Sequence, residues 1–280
     1  MPRNRIGISG WTFPPWRGTF YPKGLTQKKE LEFASRAFSS IEINGTFYSL
    51  QRPKTFESWY SETPADFQFA VKAPQFITHV LRLKEAEEPL YNFLASGLLC
   101  LKEKLGPILW QFPPFVTLKD DRFEKFLELL PHDTKAAAKL AKRHGPKVEG
   151  RSYCEAKEKH PLRHAFELRH PSFKDPGFLR LLEKHNIAFV TAHAGGDKAP
   201  YIVKPTADFT YLRLHGEGKK YKKGYSDSEI TKLAKLITDW NKSGISTYTY
   251  FSNEAKLYSP ASAQKLTRKL ATTFPLKKAA

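Results

Sequence analysis

Short runs dense in apolar and β-branched residues recur along the whole chain, and between them the apolar positions change to helical spacing. The runs at 6–10, 40–44, 67–73, 107–111, 165–169, 188–191, 210–215 and 246–251 read as strands. Helical spacing is clearest at Phe123, Phe126, Leu127 and Leu130, and again at Ile230, Leu233, Ile237 and Trp240. Strand and helix alternate throughout, the pattern of a parallel sheet covered by helices. Eight repeats predict a closed α/β architecture, a (βα)8 TIM-like barrel, in preference to an open doubly wound sheet. An open sheet of that kind would carry a glycine-rich phosphate loop after its first strand, and the sequence has none there.

One segment breaks the rhythm. Residues 132–164 are rich in Lys, Ala and Arg, with a helix-like run at 135–143 followed by Gly145 and Pro146. This predicts a basic helical insertion between strands four and five, its charged face either solvated or in contact with a polyanion. With 280 residues and 40% hydrophobic content, a single domain over 1–280 holding this insertion is the simplest organisation.

Charge adds a direction. Forty-six Lys and Arg against 28 Asp and Glu give a formal net charge of +18, which attracts polyanions but says little about fold. Cys100 and Cys154 have neither paired nor CxxC spacing, so neither a disulfide scaffold nor a zinc ribbon is expected. No run reaches the roughly 18 apolar residues of a membrane span, and the first residues lead into a strand instead of a signal core. A soluble, cytoplasmic protein without a membrane partner is the expectation.

In a barrel of this class, side chains at the C-terminal strand ends converge on one mouth, where active sites lie. The candidates are Trp11 after strand one, Glu42, Asn44 and Thr46 at strand two, Lys72 at strand three and Gln111 at strand four. Glu167, Arg169 and His170 follow at strand five, Arg213 and His215 at strand seven, and Asn253 at strand eight. Glu42 and Glu167 interrupt apolar strands, and alternation aims both inward. They either form buried ion pairs, Glu167 with Arg213 and Glu42 with Lys72 or Arg169, or one of them is a general acid or base assisted by His215 or His170.

His79, His170, His193 and His215 with the two glutamates are residue types that bind metals. No HxH or HExxH spacing supports this, and the neighbouring cations would repel a metal, so none is assigned. No cofactor is indicated. Lys72, Arg169 and Arg213 suit an anion better, because guanidinium forks bind phosphate or carboxylate at two points. On this basis Arg213→Ala and Arg169→Ala are expected to weaken anion binding while leaving the barrel folded. Trp11, Phe13, Phe47, Tyr48 and Phe112 either stack bases or sugars at the rim or simply pack loops over it.

The runs at 7–22 (GISGWTFPPWRGTFYP), 42–50 (EINGTFYSL), 69–79 (FAVKAPQFITH), 106–115 (GPILWQFPPF), 166–173 (FELRHPSF), 211–216 (YLRLHG) and 248–255 (YTYFSNEA) together resemble domain-of-unknown-function family 72. The resemblance spans nearly the whole chain and implies a TIM-like barrel with no established activity. The twelve candidates named above all fall within the shared motifs. Three positions depart from the family pattern: His193 where Asp is frequent, Ser252 where Asn or Asp is usual, and Glu254 where Asp is usual. These departures put any role for a carboxylate there in doubt.

Three functions fit this inventory. The first is a hydrolase or lyase on a phosphate-bearing substrate, nucleic acid among them, by fold-level analogy with apurinic endonucleases. The second is a non-catalytic nucleic-acid-binding module, and the third an enzyme acting on a sugar or sugar phosphate. Residue types do not separate the three, and they leave oligomeric state open.

Overall fold

A computed structural model describes residues 3–193, 200–216, 223–252 and 256–273. Its strands are β1 (Asn4–Ser9), β2 (Ser40–Ile43), β3 (Gln68–Lys72), β4 (Leu105–Gln111), β5 (His164–Glu167), β6 (Ala188–His193), β7 (Phe209–Leu214) and β8 (Ser246–Phe251). All pair in parallel and in chain order, and β8 pairs back onto β1, closing the barrel. Each predicted run coincides with one of these strands. Boundaries move by a few residues; β5 ends at Glu167 and leaves Arg169 on the loop beyond it.

The helices are α1 (Glu30–Ala37), α2 (Gly45–Tyr48), α3 (Pro53–Glu62), α4 (Glu87–Ala95), α5 (Arg122–Leu129), α6 (Thr134–Ala141), α7 (Pro176–Lys184), α8 (Asp227–Lys242) and α9 (Ser259–Thr273). Among the described residues no helix separates β6 from β7. The predicted basic helix is α6. Asp133 caps it by accepting the Ala136 N–H at 2.8 Å, and Thr134, Ala137, Ala138 and Ala141 are buried, with α6 packed against α4. Its small-residue face is therefore core, and only the opposite face carries the lysines.

Two apolar cores result. The larger lies between barrel and helices and contains the outward side chains of the strands, including Ile41, Ile43, Trp110 and Phe166. The smaller fills the barrel: Phe209, Tyr211, Tyr248 and Tyr250 on β7 and β8 occupy the space left by Ala70, Ala165, Ala188 and Ala192. Large residues on one side are matched by small ones on the other, which is how a closed barrel reaches interior packing density. Gly7 leaves no room for a Cβ against the Ser40 carbonyl, so β1 and β2 approach closely only because that residue is glycine. Gly10, at φ 74°, then turns the chain out of β1 toward Trp11.

Candidate functional site

Alternation along β2, β5 and β7 brings Glu42, Glu167 and Arg213 to the same end of the barrel interior, just above the tyrosines. Arg213 joins the two carboxylates. Its Nε and Nη2 donate to Glu42 Oε2 and Oε1 at 3.0 and 2.9 Å, while Nη1 donates to Glu167 Oε2 at 2.5 Å. Glu42 therefore pairs with Arg213 and not with Lys72 or Arg169. The Arg213–Glu167 pairing foreseen from the sequence is present, and Arg169 adds to it from the rim, its Nε 2.8 Å from Glu167 Oε1.

Both carboxylates are heavily engaged, Glu42 by four hydrogen bonds and Glu167 by three. Glu42 also accepts from Ser9 Oγ and from the Tyr211 hydroxyl, each at 2.6 Å, and Glu167 accepts from Gln111 Nε2 at 2.9 Å. Asn44 Nδ2 donates to Ser9 Oγ at 2.7 Å and so stands behind Glu42. Burial pushes the Glu42 carboxyl up, but the Arg213 charge and the bonds from Ser9 and Tyr211 outweigh it and hold the group below its ordinary value. Burial likewise acts against the Glu167 charge, and Arg213, His215 and Arg169 hold that carboxyl well below the usual range. Arg213, 4% exposed, moves in the opposite sense, raised by Glu167 and Glu42 against its own desolvation. An ionised carboxylate held by cations below its ordinary value makes a poor proton carrier. The network is a rigid ionic floor.

Arg213 is consequently a poor direct anion ligand, because its fork already faces two carboxylates. The expectation that Arg213→Ala leaves the barrel undisturbed is corrected accordingly, since the substitution strands two buried negative charges. Ser9 and Tyr211, which complete the floor, were not among the candidates read from the sequence. Tyr211 was within reach, because alternation places it on the same inward face as Arg213.

Lys72 is different. At the end of β3, one inward step beyond Ala70, it is 8% exposed. Its Nζ lies 3.8 Å from the centroid of the Phe47 ring and makes no hydrogen bond among the described residues. Thr46 Oγ1 donates to the Lys72 carbonyl at 2.7 Å and fixes the main chain beneath it. Burial, and then the Arg213 charge, lower the ammonium pKa from 10.5 to about 8, against the pull of Glu42 and Glu167.

The remaining candidates divide. His215 receives Ser252 Oγ at 3.2 Å from its Nδ1, while its buried Nε2 stands 3.7 Å from Glu167 Oε1 without a hydrogen bond among the described residues. His170 is occupied by the backbone: its Nδ1 accepts the Ser172 N–H at 3.1 Å, capping the turn over Pro171–Lys174. Trp11 packs edge-on against Trp59 at 5.4 Å beside the mouth. Phe112 is fully buried in the outer core against Phe123 and Phe166, so it is packing and not a rim platform. Asn253 and Glu254 lie outside the described residues.

The histidines do not gather as a metal set. His79 Nδ1 is 2.9 Å from Thr78 Oγ1, and His193 Nδ1 is 3.0 Å from the Tyr225 hydroxyl. Among the described residues no three of His, Cys, Asp and Glu come together as metal ligands. No helix among them is long and apolar enough to cross a membrane.

A closed eight-stranded parallel barrel whose C-terminal end is floored by a buried ion network defines a TIM-type barrel protein with a polar mouth. Within that class, the chain belongs to the family described as "Protein of unknown function DUF72", which matches residues 5–279. It is 31% identical over 121 residues to the UPF0759 protein YunF of Bacillus subtilis (strain 168), a match covering 41% of this chain and 42% of that protein. The matched stretch is thus less than half of that curated relative's length. Among solved structures, a DUF72 family protein from Thermotoga maritima MSB8 superposes with a TM-score of 0.72 at 25% identity, covering 96% of this chain and 99% of that one. A second, from Enterococcus faecalis V583, gives 0.69 at 17% identity over 95% of each chain, a likeness of fold.

Proposed function

We propose that the mouth binds the anionic group of a substrate, and that the protein is a hydrolase or lyase acting on a phosphate-bearing compound. The observation that carries this reading is the Lys72 ammonium, walled in at the barrel mouth without a hydrogen-bond partner among the described residues. Three cations, Lys72, Arg169 and Arg213, face two carboxylates, so one positive charge is in excess whenever Lys72 is protonated. A largely buried ammonium whose only acceptor is solvent is costly to keep charged, and a bound anion would supply a fixed acceptor.

In this reading Lys72 and the outer edge of Arg169 hold the anion, with Trp11, Asn44, Thr46 and Gln111 as the surrounding wall. Glu42, Glu167 and Arg213 act as the positioning floor. His215, whose Nε2 stands 3.7 Å from Glu167 Oε1, carries the proton in preference to either glutamate or to His170. The test is calorimetric titration with inorganic phosphate. Binding is expected in the wild type and is expected to weaken by at least about tenfold in Lys72→Met, the loss of one charged hydrogen bond. Equal affinity in that variant, with the fold intact, would remove the proposal.

A specific observation favours nucleic acid as the form in which the phosphate arrives. Tyr48, Phe76 and Phe115 are 72%, 42% and 60% exposed. They line two neighbouring cavities of about 620 and 390 Å³ that both reach Val80, with Lys147 and Arg151 on one and Lys84, Lys119 and Arg122 on the other. Exposed rings interleaved with cations suit a single strand, whose bases stack while its phosphates meet the charges. Anisotropy with a labelled 12-nucleotide strand over a salt series tests this. Tyr48→Ala and Phe115→Ala should each weaken binding by about fivefold or more. Unchanged binding in both would reduce the effect to general polycation attraction.

A further inference from the structure

The protein contains two buried lysines that invite direct comparison. Lys104 Nζ donates to the Tyr60 and Thr63 carbonyls at 2.7 and 2.8 Å and to Thr63 Oγ1 at 3.2 Å, so its three N–H donors are all used. Lys72 is buried to a similar degree, yet it has the ring face of Phe47 and no acceptor among the described residues. A structural role accounts for Lys104 completely. It does not account for Lys72, which is largely buried at the mouth of the barrel with no hydrogen bond from its nitrogen among the described residues.

We propose that Lys72 is an imine-forming amine, its Nζ condensing with the carbonyl carbon of an aldehyde or ketone that also carries a phosphate or carboxylate. The inference rests on the anion-binding reading of the mouth and narrows its substrate class. Desolvation and neighbouring cations are what convert a lysine from an inert ammonium into a nucleophile. Both act on Lys72, whose pKa falls to about 8 so that a useful fraction is neutral near pH 7.5. Arg169, part-exposed beside Glu167, holds the anionic end of the compound.

The step balances without any further reactant. The ammonium gives up one proton, and the nitrogen lone pair attacks the carbonyl carbon while the C–O π pair moves to oxygen, which takes a proton. The carbinolamine hydroxyl takes up the proton first released and leaves as water while the nitrogen lone pair forms the C=N bond. The last proton stays on nitrogen, so ammonium plus carbonyl gives iminium plus water. The iminium draws electrons from the adjacent carbon, which is the requirement of a lyase.

The experiment is reductive trapping on the full chain. Ribose 5-phosphate and glyceraldehyde 3-phosphate are supplied as free compounds, and an oligonucleotide with one abasic aldehyde as the polymeric source, each with cyanoborohydride at pH 7.5. Peptide mass mapping then reads the adducts. Lys72 should be labelled at least about tenfold faster than the median of the other lysines, Lys104 being the unreactive buried reference, and the excess should vanish in Lys72→Arg. Whichever source labels faster identifies the natural form. Labelling spread over surface lysines, with Lys72 no faster, overturns the imine. Phosphate binding measured in parallel separates the two readings, because phosphate forms no imine: retained phosphate affinity without Lys72 labelling removes this inference alone.

Discussion

Arg213 and Lys72 are cations walled into the same end of one barrel, yet their surroundings drive them in opposite directions. Arg213 meets two carboxylates and its charge is reinforced, whereas burial and the Arg213 charge weaken that of Lys72, which lies against the Phe47 ring. Desolvation acts against both charges. What differs is whether fixed acceptors offset it, and that separates a position serving the fold from one left available to a ligand.

The largest effect should come from breaking the satisfied member. Arg213→Met leaves Glu42 and Glu167 buried without their main counter-charge, a loss of about 3–5 kcal/mol. At a few degrees per kcal/mol this lowers Tm by roughly 10 °C, readable by calorimetry or circular dichroism. The pH dependence sharpens the test. In the wild type both glutamates have folded pKa values below their unfolded ones, so their stabilisation is present at neutral pH and lost as pH falls through the lowered folded values. Without Arg213, burial dominates and raises those pKa values. The variant should therefore gain stability on mild acidification from pH 7, where the wild type gains none.

The unsatisfied member predicts the reverse. Lys72 titrates at about 8 in the folded protein against 10.5 in the unfolded chain, so the unfolded chain binds more protons between those values and stability rises with pH across that window. Below about pH 8 the full penalty is present, about 3 kcal/mol by the usual conversion of 1.36 kcal/mol per pKa unit. Lys72→Met is expected to stabilise the protein by about 1–3 kcal/mol at pH 7 and to lose that advantage above pH 10.5, while phosphate binding weakens. Gain of stability with loss of binding is the mark of a functional residue held at a cost to the fold. If Lys72→Met is instead destabilising at pH 7, the ammonium has an acceptor and the contrast with Arg213 collapses.

The same contrast explains what was legible in the sequence. A glutamate inside a four-residue apolar strand is costly enough to stand out, so Glu42, Glu167, Lys72 and Arg213 were visible as interior residues before any coordinates. The Glu167–Arg213 pairing was legible too, but the partner of Glu42 was not, because Glu42 and Arg213 are 171 residues apart and meet only across the closed barrel, whose diameter and strand tilt set who faces whom. Local chemistry was missed in a different way. His170 precedes Pro171 and Ser172, a capping arrangement that competes with any catalytic use, and Phe112 follows inward-facing Gln111, so alternation already placed it in the outer core. The strand count survived because parallel strands buried on both faces leave long apolar signatures.

Arg169 sits between the two extremes and gives the finest test. It shares Glu167 with Arg213, so its removal leaves the carboxylate with a charged partner and with Gln111, and its side chain is about one-third exposed. A pair of that exposure contributes little to stability once solvent screening is counted, about 1 kcal/mol or less. Arg169→Gln should accordingly leave Tm within a few degrees of wild type. The Arg169 charge is a separate matter, because in the proposed reading Arg169 and Lys72 together meet the incoming anion. Phosphate affinity should fall by about tenfold in Arg169→Gln at low salt, and the deficit should shrink as ionic strength rises. A variant that loses stability as heavily as Arg213→Met, with phosphate affinity preserved, would place Arg169 in the floor and leave Lys72 as the mouth's sole ligand for the anion.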